Sequence, residues 1–164
     1  MKQTLFALGL AAGCVFAATG PASVDVFTSG SEGYHTFRIP AIVTAQDGTL
    51  LAFAEGRKEN RSDPGGGDID LVLKRSRDRG ASWSSLVILD DPGLGWAASN
   101  PTPVLDRRTG RLWVFYNRWE PGRGTASSRP GAYDNQAWAR SSDDHGATWS
   151  EAVDLTHVAR DIEH

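Results

Sequence analysis

An eight-residue pattern occurs twice in this chain, as Ser76-Arg77-Asp78-Arg79-Gly80-Ala81-Ser82-Trp83 and as Ser142-Asp143-Asp144-His145-Gly146-Ala147-Thr148-Trp149, the second copy starting 66 residues after the first. Both copies read Ser-x-Asp-x-Gly-x-Ser/Thr-Trp, and each position has a place in a hairpin turn. The Asp carboxylate accepts hydrogen bonds from turn N–H groups, the Gly supplies a positive φ, and the Trp packs beneath. Each octet is preceded by a strand-like segment ending Arg-Ser, Lys74-Arg75-Ser76 and Ala139-Arg140-Ser141. The repeated object is therefore a sheet unit rather than an isolated turn. A calcium loop would need acidic residues at alternating positions, and neither octet has enough of them.

The rest of the chain agrees with repeated sheets. Short apolar runs recur between Gly, Pro, Asn and Asp clusters, with no sustained 3.6-residue period. Strands are expected at Phe37 to Thr44, Thr49 to Glu55, Ile69 to Ser76, Leu86 to Leu89, Pro103 to Leu105, Arg111 to Asn117 and Asn135 to Ser141. Gln46-Asp47-Gly48 and Asp106 to Gly110 read as hairpin connections. Glu59 to Asp68 and Glu120 to Ala132 read as loops, and one helix is expected around Leu155 to Ile162. This pattern is all-β: a sandwich, barrel or propeller.

Composition narrows the function classes. With 40% hydrophobic residues the chain is neither disordered nor a membrane bundle, and 20 acidic residues against 17 basic ones argue against a nucleic-acid binder. Lys2 followed by the apolar run Leu5 to Ala18 has the form of an export signal, with a small-residue cleavage site after Ala17. Residues 1–17 are expected to be a signal peptide and 18–164 the partial β domain, secreted or periplasmic. The run Ala11-Ala12-Gly13-Cys14 offers a rival, a lipoprotein box that would anchor Cys14 at the cell surface or outer membrane. Export with Cys14 removed leaves no cysteine, so stability must come from a packed core.

One polar group sits where plain folding does not call for it, and a second lies on a flexible loop. Arg38 lies inside the apolar run Phe37 to Val43, where an unpaired guanidinium is costly. It either pairs with a buried carboxylate or points into a polar pocket, and its planar fork suits a carboxylate. Asp63 lies in the Gly-rich loop Ser62-Asp63-Pro64-Gly65-Gly66-Gly67-Asp68. By itself an Asp before Pro is a turn residue. Asp68 and Asp70 are rivals in the same segment, although Asp70 alternates with Ile69 and Leu71 and reads as a strand residue with a structural partner.

These features together resemble the sialidase (neuraminidase) family. The octets resemble its Asp-boxes, with Ser76, Asp78, Gly80, Trp83 and Ser142, Asp144, Gly146, Trp149 as the structural positions. Phe37-Arg38-Ile39-Pro40 resembles its Phe-Arg-Ile-Pro signature, and Ala54-Glu55-Gly56-Arg57 falls where the family has a second pocket arginine. The resemblance runs from about Val24 to the C-terminus. It implies a six-bladed β-propeller of four-stranded blades, of which this chain would supply about two to three N-terminal ones.

The same resemblance implies an exo-α-sialidase that removes terminal sialic acid, with retention, from glycoproteins, glycolipids or oligosaccharides. Arg38 would be the first of three arginines on the sugar carboxylate. Arg57 and Asn100 would contribute to substrate binding, and Asp63 would be the general acid/base. Asn100-Pro101 also reads as a turn opening a strand. Trp96, Trp119 and Trp138 are candidates for an apolar wall against the sugar. His35, His145 and His157 lack a metal-ligand spacing, and neither a metal nor a cofactor is expected. The family's nucleophilic Tyr, its Glu partner and the remaining two clamp arginines come from later blades, so Tyr34, Tyr116 and Tyr133 are not assigned that role. This polypeptide alone is expected to be inactive. A neutral phenol suits attack beside the sugar's own carboxylate, where an ionised Asp or Glu would be repelled. A non-catalytic carbohydrate-binding Asp-box propeller is the alternative; it would have no need of an acid on the Gly-rich loop.

Overall fold

The computed structural model describes residues 23–127 and 132–159. The expected signal peptide, Cys14 and the end of the expected helix lie outside them. The elements are β1 (Thr36–Thr44), β2 (Leu50–Arg57), β3 (Ile69–Ser76), β4 (Val87–Asp90), β5 (Ala97–Leu105), β6 (Leu112–Trp119), β7 (Asn135–Ser142), β8 (Val153–Asp154) and the single-turn helix α1 (Thr156–Ala159). Hydrogen bonds run antiparallel through β1-β2-β3-β4 and again through β5-β6-β7-β8. The joint between the two sets is a parallel bridge between Ile69 of β3 and Ala97 of β5. Among the described residues the strands thus form two four-stranded blades, an open arc of propeller, within the two to three expected.

The core lies between the blades. Leu51 and Phe53 of β2 and Leu71 and Leu73 of β3 pack with Leu112, Val114 and Tyr116 of β6. Each such aliphatic or aromatic side chain contributes roughly 2 kcal/mol by leaving water. The opposite face of the first blade is also covered: Ala54 and Val72 pack with Phe27 and Tyr34 of the segment leading into β1 and with Phe37 of β1 itself. Burial on both faces explains why Leu50 to Ala54 is a continuous apolar run rather than an alternating one. In β6 the alternation is visible, because Trp113 and Phe115 stack on the other face and Phe115 stays exposed.

The two octets are the turns between β3 and β4 and between β7 and β8. In the first, Ser76 Oγ donates to Asp78 Oδ1 at 2.8 Å and accepts the Gly80 N–H at 2.8 Å, while the Ser82 N–H reaches Asp78 Oδ1 at 2.9 Å. The second repeats this with Ser142, Asp144, Gly146 and Thr148, all within 2.8 Å. The residue before each glycine is left-handed too: Arg79 at φ 61° and His145 at φ 58° precede Gly80 at 89° and Gly146 at 77°. Trp149 then meets Phe53 edge-on, with centroids 5.9 Å apart, so the second octet closes over the core of the first blade.

One expectation is corrected. The strand expected at Pro103 begins at Ala97, and Asn100-Pro101 is a bulge within it rather than its opening turn, the register breaking between Ser99 and Thr102. A bulge accommodates the proline because its missing N–H falls where the ladder is already interrupted. Among the described residues no helix is long and apolar enough to cross a membrane.

The blades are also tied by charge. Asp90, at the end of β4, accepts Arg118 Nε at 2.7 Å and Nη2 at 2.6 Å, and Arg140 Nη2 at 3.3 Å. Arg118 in turn lies over the Trp138 ring, 3.9 Å from its centroid. Removing the buried carboxylate would strand two guanidinium groups, and the Asp90→Ala variant is expected to lose about 3 kcal/mol of stability in urea unfolding. A loss below about 1 kcal/mol would deny Asp90 this role.

The octets carry a pH dependence. Hydroxyl donation from Ser82 to Asp78 and from Thr148 to Asp144, followed by backbone N–H donation, holds both carboxyls down to about 2. A carboxylate depressed in the folded state adds stability above its unfolded pKa of about 4, and that contribution disappears as pH falls toward 2. The thermal midpoint followed by circular dichroism should therefore drop between about pH 4 and pH 2. The Asp78→Asn/Asp144→Asn double variant should start lower at pH 7 and show a shallower drop.

Candidate active site

Arg38 and Glu55 face each other across β1 and β2, and Arg57 lies two residues beyond Glu55 on the same face of β2. This places two arginines and a carboxylate at one end of the first blade. The chain then leaves β2 into the loop that carries Asp63. Loop and arginines meet: Arg38 Nη1 donates to Asp63 Oδ1 at 2.8 Å, and Arg57 Nη1 and Nη2 approach the same oxygen at 3.2 Å.

The two arginines differ in setting. The Arg57 side chain is 2% exposed, and its donors are used internally: Nε to Glu55 Oε2 at 3.0 Å, Nη1 to the Arg61 carbonyl at 2.7 Å and to the Ser62 carbonyl. Arg57 is therefore the prop beneath the acid loop. The Arg38 side chain is 43% exposed and Asp63 74% exposed, so these two present their polar groups to solvent.

Local chemistry shapes the loop. Lys58 and Asp68 close its ends through a backbone hydrogen bond of 3.0 Å from the Lys58 N–H to the Asp68 carbonyl. The Lys58 ammonium sits among Asp68, Asp70 and Asp91 at 3.5, 3.0 and 3.3 Å. Three carboxylates this close have the donor set of a cation site, and the lysine fills it. Asp70 has the structural partners expected of it, accepting the Tyr34 hydroxyl at 2.7 Å as well as pairing with Lys58. Burial raises its pKa, and both donors oppose that shift. The loop also rests on its neighbour. A side chain at Gly65 would meet the Arg123 carbonyl oxygen at 2.7 Å, and one at Gly124 would run into the Pro64 carbonyl. Two glycine-rich segments let the backbones touch.

Asn100 reaches this cluster from the second blade. Its N–H donates to Glu55 Oε1 at 3.0 Å, across the blade boundary. Asn100 stands at φ 57° before Pro101, as Ile39 stands at φ 50° before Pro40, and both sit at register breaks, Arg38 to Ala41 and Ser99 to Thr102. Residues before proline prefer extended backbone, so these are strained positions, and the two innermost strands carry the same one.

Arg38, Arg57, Asp63 and Asn100 are thus brought together. Of the candidate tryptophans, Trp119 and Trp96 are not. Trp119 is buried with Ile69 and Ala97 and donates to Ser99 Oγ at 3.1 Å, which makes it core at the blade joint. Trp96 precedes β5, its carbonyl accepting the Ile69 N–H at 3.0 Å. Trp138 does share a hollow of about 290 Å³ with Asn100, Thr102 and Phe115. Glu55 is the residue that sequence reasoning missed. A signal was available, a carboxylate directly ending the apolar run Leu50 to Ala54, where the cost argument made for Arg38 applies as well.

Comparison with known proteins identifies the family. Residues 48–160 match the family model of the BNR repeat-like domain. The chain is 34% identical over 161 residues to an exo-alpha-sialidase of Arthroderma benhamiae, covering 87% of this chain and 38% of that protein. It is 33% identical over 147 residues to a sialidase of Micromonospora viridifaciens, covering 84% and 22%. It therefore spans between about a fifth and two fifths of the length of these curated relatives. Among solved structures, the Hadza microbial sialidase Hz136 superposes with a TM-score of 0.73 at 28% identity, over 81% of this chain and 28% of that one. A leech intramolecular trans-sialidase superposes at 0.74 with 15% identity, over 86% of this chain and 38% of that one, a likeness of fold. On the matched blades, the repeated Asp-box turns and these relatives together, the chain belongs to the sialidase family of BNR-repeat proteins.

Proposed function

We propose that the whole protein is an exo-acting sialidase that hydrolyses terminal sialic acid from glycoconjugates with retention, and that these two blades carry its acid/base and the first arm of its carboxylate clamp. The observation that carries this reading is the contact of Arg38 with Asp63 above a buried Arg57. A carboxylate-bearing sugar needs a solvent-facing guanidinium, and Arg38 has one. Breaking its glycosidic bond needs a carboxyl that can move, and Asp63 sits on a glycine-rich loop at the surface.

Asp63 accepts from Nη1 of Arg38, the guanidinium that the sugar carboxylate would engage. Substrate would exchange one carboxylate for the other, and the exchange frees Asp63 to turn toward the leaving oxygen. Released from Arg38 and shut off from bulk water by the bound sugar, Asp63 would take up a proton from solvent, pass it to that oxygen, and afterwards accept one from the water that attacks the glycosyl-enzyme. The nucleophile and the other two clamp arginines would come from later blades.

The test uses the product of the complete reading frame. The Asp63→Ala variant should lose about 10²- to 10⁴-fold in turnover of a sialoside with a poor leaving group, such as a sugar, and far less with an activated phenol. It should also bind a non-hydrolysable sialic acid analogue at least as tightly as the parent, since the competitor for Arg38 is gone. Equal losses on both substrates would remove Asp63 from the acid role.

We further propose that residues 1–17 direct export. Mass and N-terminal sequence of the mature protein should place its start at Ala18. A mass increased by lipid on an N-terminal Cys14 would give the anchored form instead.

A further inference from the structure

We propose that Glu55 is a positioning residue that couples the acid loop of the first blade to Asn100 of the second through the two oxygens of one buried carboxylate. Oε2 takes Nε and Nη2 of Arg57, and Arg57 carries the carbonyls of Arg61 and Ser62 and the Asp63 carboxylate. Oε1 takes the Asn100 N–H at 3.0 Å. The side chain is 1% exposed, so neither bond has water as a substitute.

A local ion pair between residues two apart on a strand would explain Oε2 alone. The bond from Oε1 is of a different kind, because it crosses between blades and ends on strained backbone. At the β5 bulge the ladder is broken between Ser99 and Thr102, and without Glu55 the Asn100 N–H would face the interior with no acceptor. Accepting that bond holds Asn100 at φ 57° before Pro101, against the extended preference of a residue preceding proline. The Asn100 side chain, which is exposed and lines the hollow shared with Trp138, is thereby set at a fixed distance from Asp63. No other side-chain type meets the same demand. A Gln amide must turn its NH2 group toward either Arg57 or the Asn100 N–H, donor against donor. An Asp keeps the charge but is one methylene too short to touch both.

The catalytic consequence rests on the sialidase reading; the coupling itself does not, and the test has an arm for each. In the first arm, amide hydrogen exchange at Asn100 is measured in the full-length protein. It should be slow in the parent and at least about tenfold faster in Glu55→Gln and Glu55→Asp, with core amides such as those of β6 unchanged. Unchanged exchange at Asn100 would overturn the proposal. In the second arm, KM and kcat for a sialyl sugar are measured for Asn100→Ala alone and in the Glu55→Gln background. Asn100→Ala should raise KM about tenfold in the parent and less than about twofold once Glu55 is changed, because the position is already released. Additive effects would overturn the coupling. Where Glu55→Gln fails to fold, Glu55→Asp carries both arms, since it retains the charge facing Arg57. A parent that cleaves no sialoside would refute the proposed function, while the exchange arm would still decide the coupling.

Discussion

The site depends on a buried ion pair. Glu55 and Arg57 have both been taken almost wholly out of water, and charged groups so placed must satisfy one another and every remaining donor. Arg57 does this by holding two carbonyls and a carboxylate of the acid loop, and Glu55 by accepting an amide from the neighbouring blade. Their need for partners fixes the loop from below and the inner strand of the second blade from the side. Hydrophobic burial between β2, β3 and β6 stabilises the pair of blades, but it is non-directional. It does not determine where Asp63 and Asn100 stand relative to each other.

Repetition explains much of the remaining architecture. The octets use the same Ser, Asp and Gly contacts in both blades, and the inner strands use the same bulge before a proline. The structural device is kept while its chemistry changes. Ile39 occupies the strained position in the first blade and follows Arg38, whereas the equivalent position in the second blade is Asn100 itself. A bulge re-aims side chains at the end of a strand that would otherwise alternate regularly. Both blades thus turn polar groups toward the same end of the arc without disturbing the apolar strands behind them.

Elements defined by local signals were legible in the sequence. The octets, the strands β1, β2, β3 and β7 and the glycine-rich loop each carry their own turn chemistry or apolar pattern. The start of β5 was not legible, because Asn-Pro is ordinarily a turn and only the pairing of Ala97 to Ser99 with β6 makes it strand interior. Trp119 looked like a candidate sugar wall for want of any sequence-level sign that it would fill the joint between blades. Glu55 was visible as a carboxylate ending an apolar run, but its bond to Asn100, 45 residues away, was not, because no periodicity reports a contact between blades. Arg38 came into view from the cost of a guanidinium in an apolar run, and Asp63 through the family resemblance. Their contact with each other had no local signal.

The charged groups are graded from the interior outward. Glu55 and Arg57 are sealed, Arg38 is about half exposed, and Asp63 is the most exposed of the four. Such an order suits a site in which one group must move while the others keep their places. A sealed pair cannot rearrange without stranding a charge, so it gives the loop a fixed base. An exposed carboxylate can leave one guanidinium for solvent or for substrate at little cost, since water screens the exchange. The glycines at the loop's contact with Arg123 and Gly124 serve the same division. They let the backbone just past Asp63 press directly on the neighbouring segment, while the Asp63 side chain itself faces solvent. Arg57, sealed beneath the loop, keeps its place in β2 and holds Asp63 from below, while Arg38 stays open to solvent.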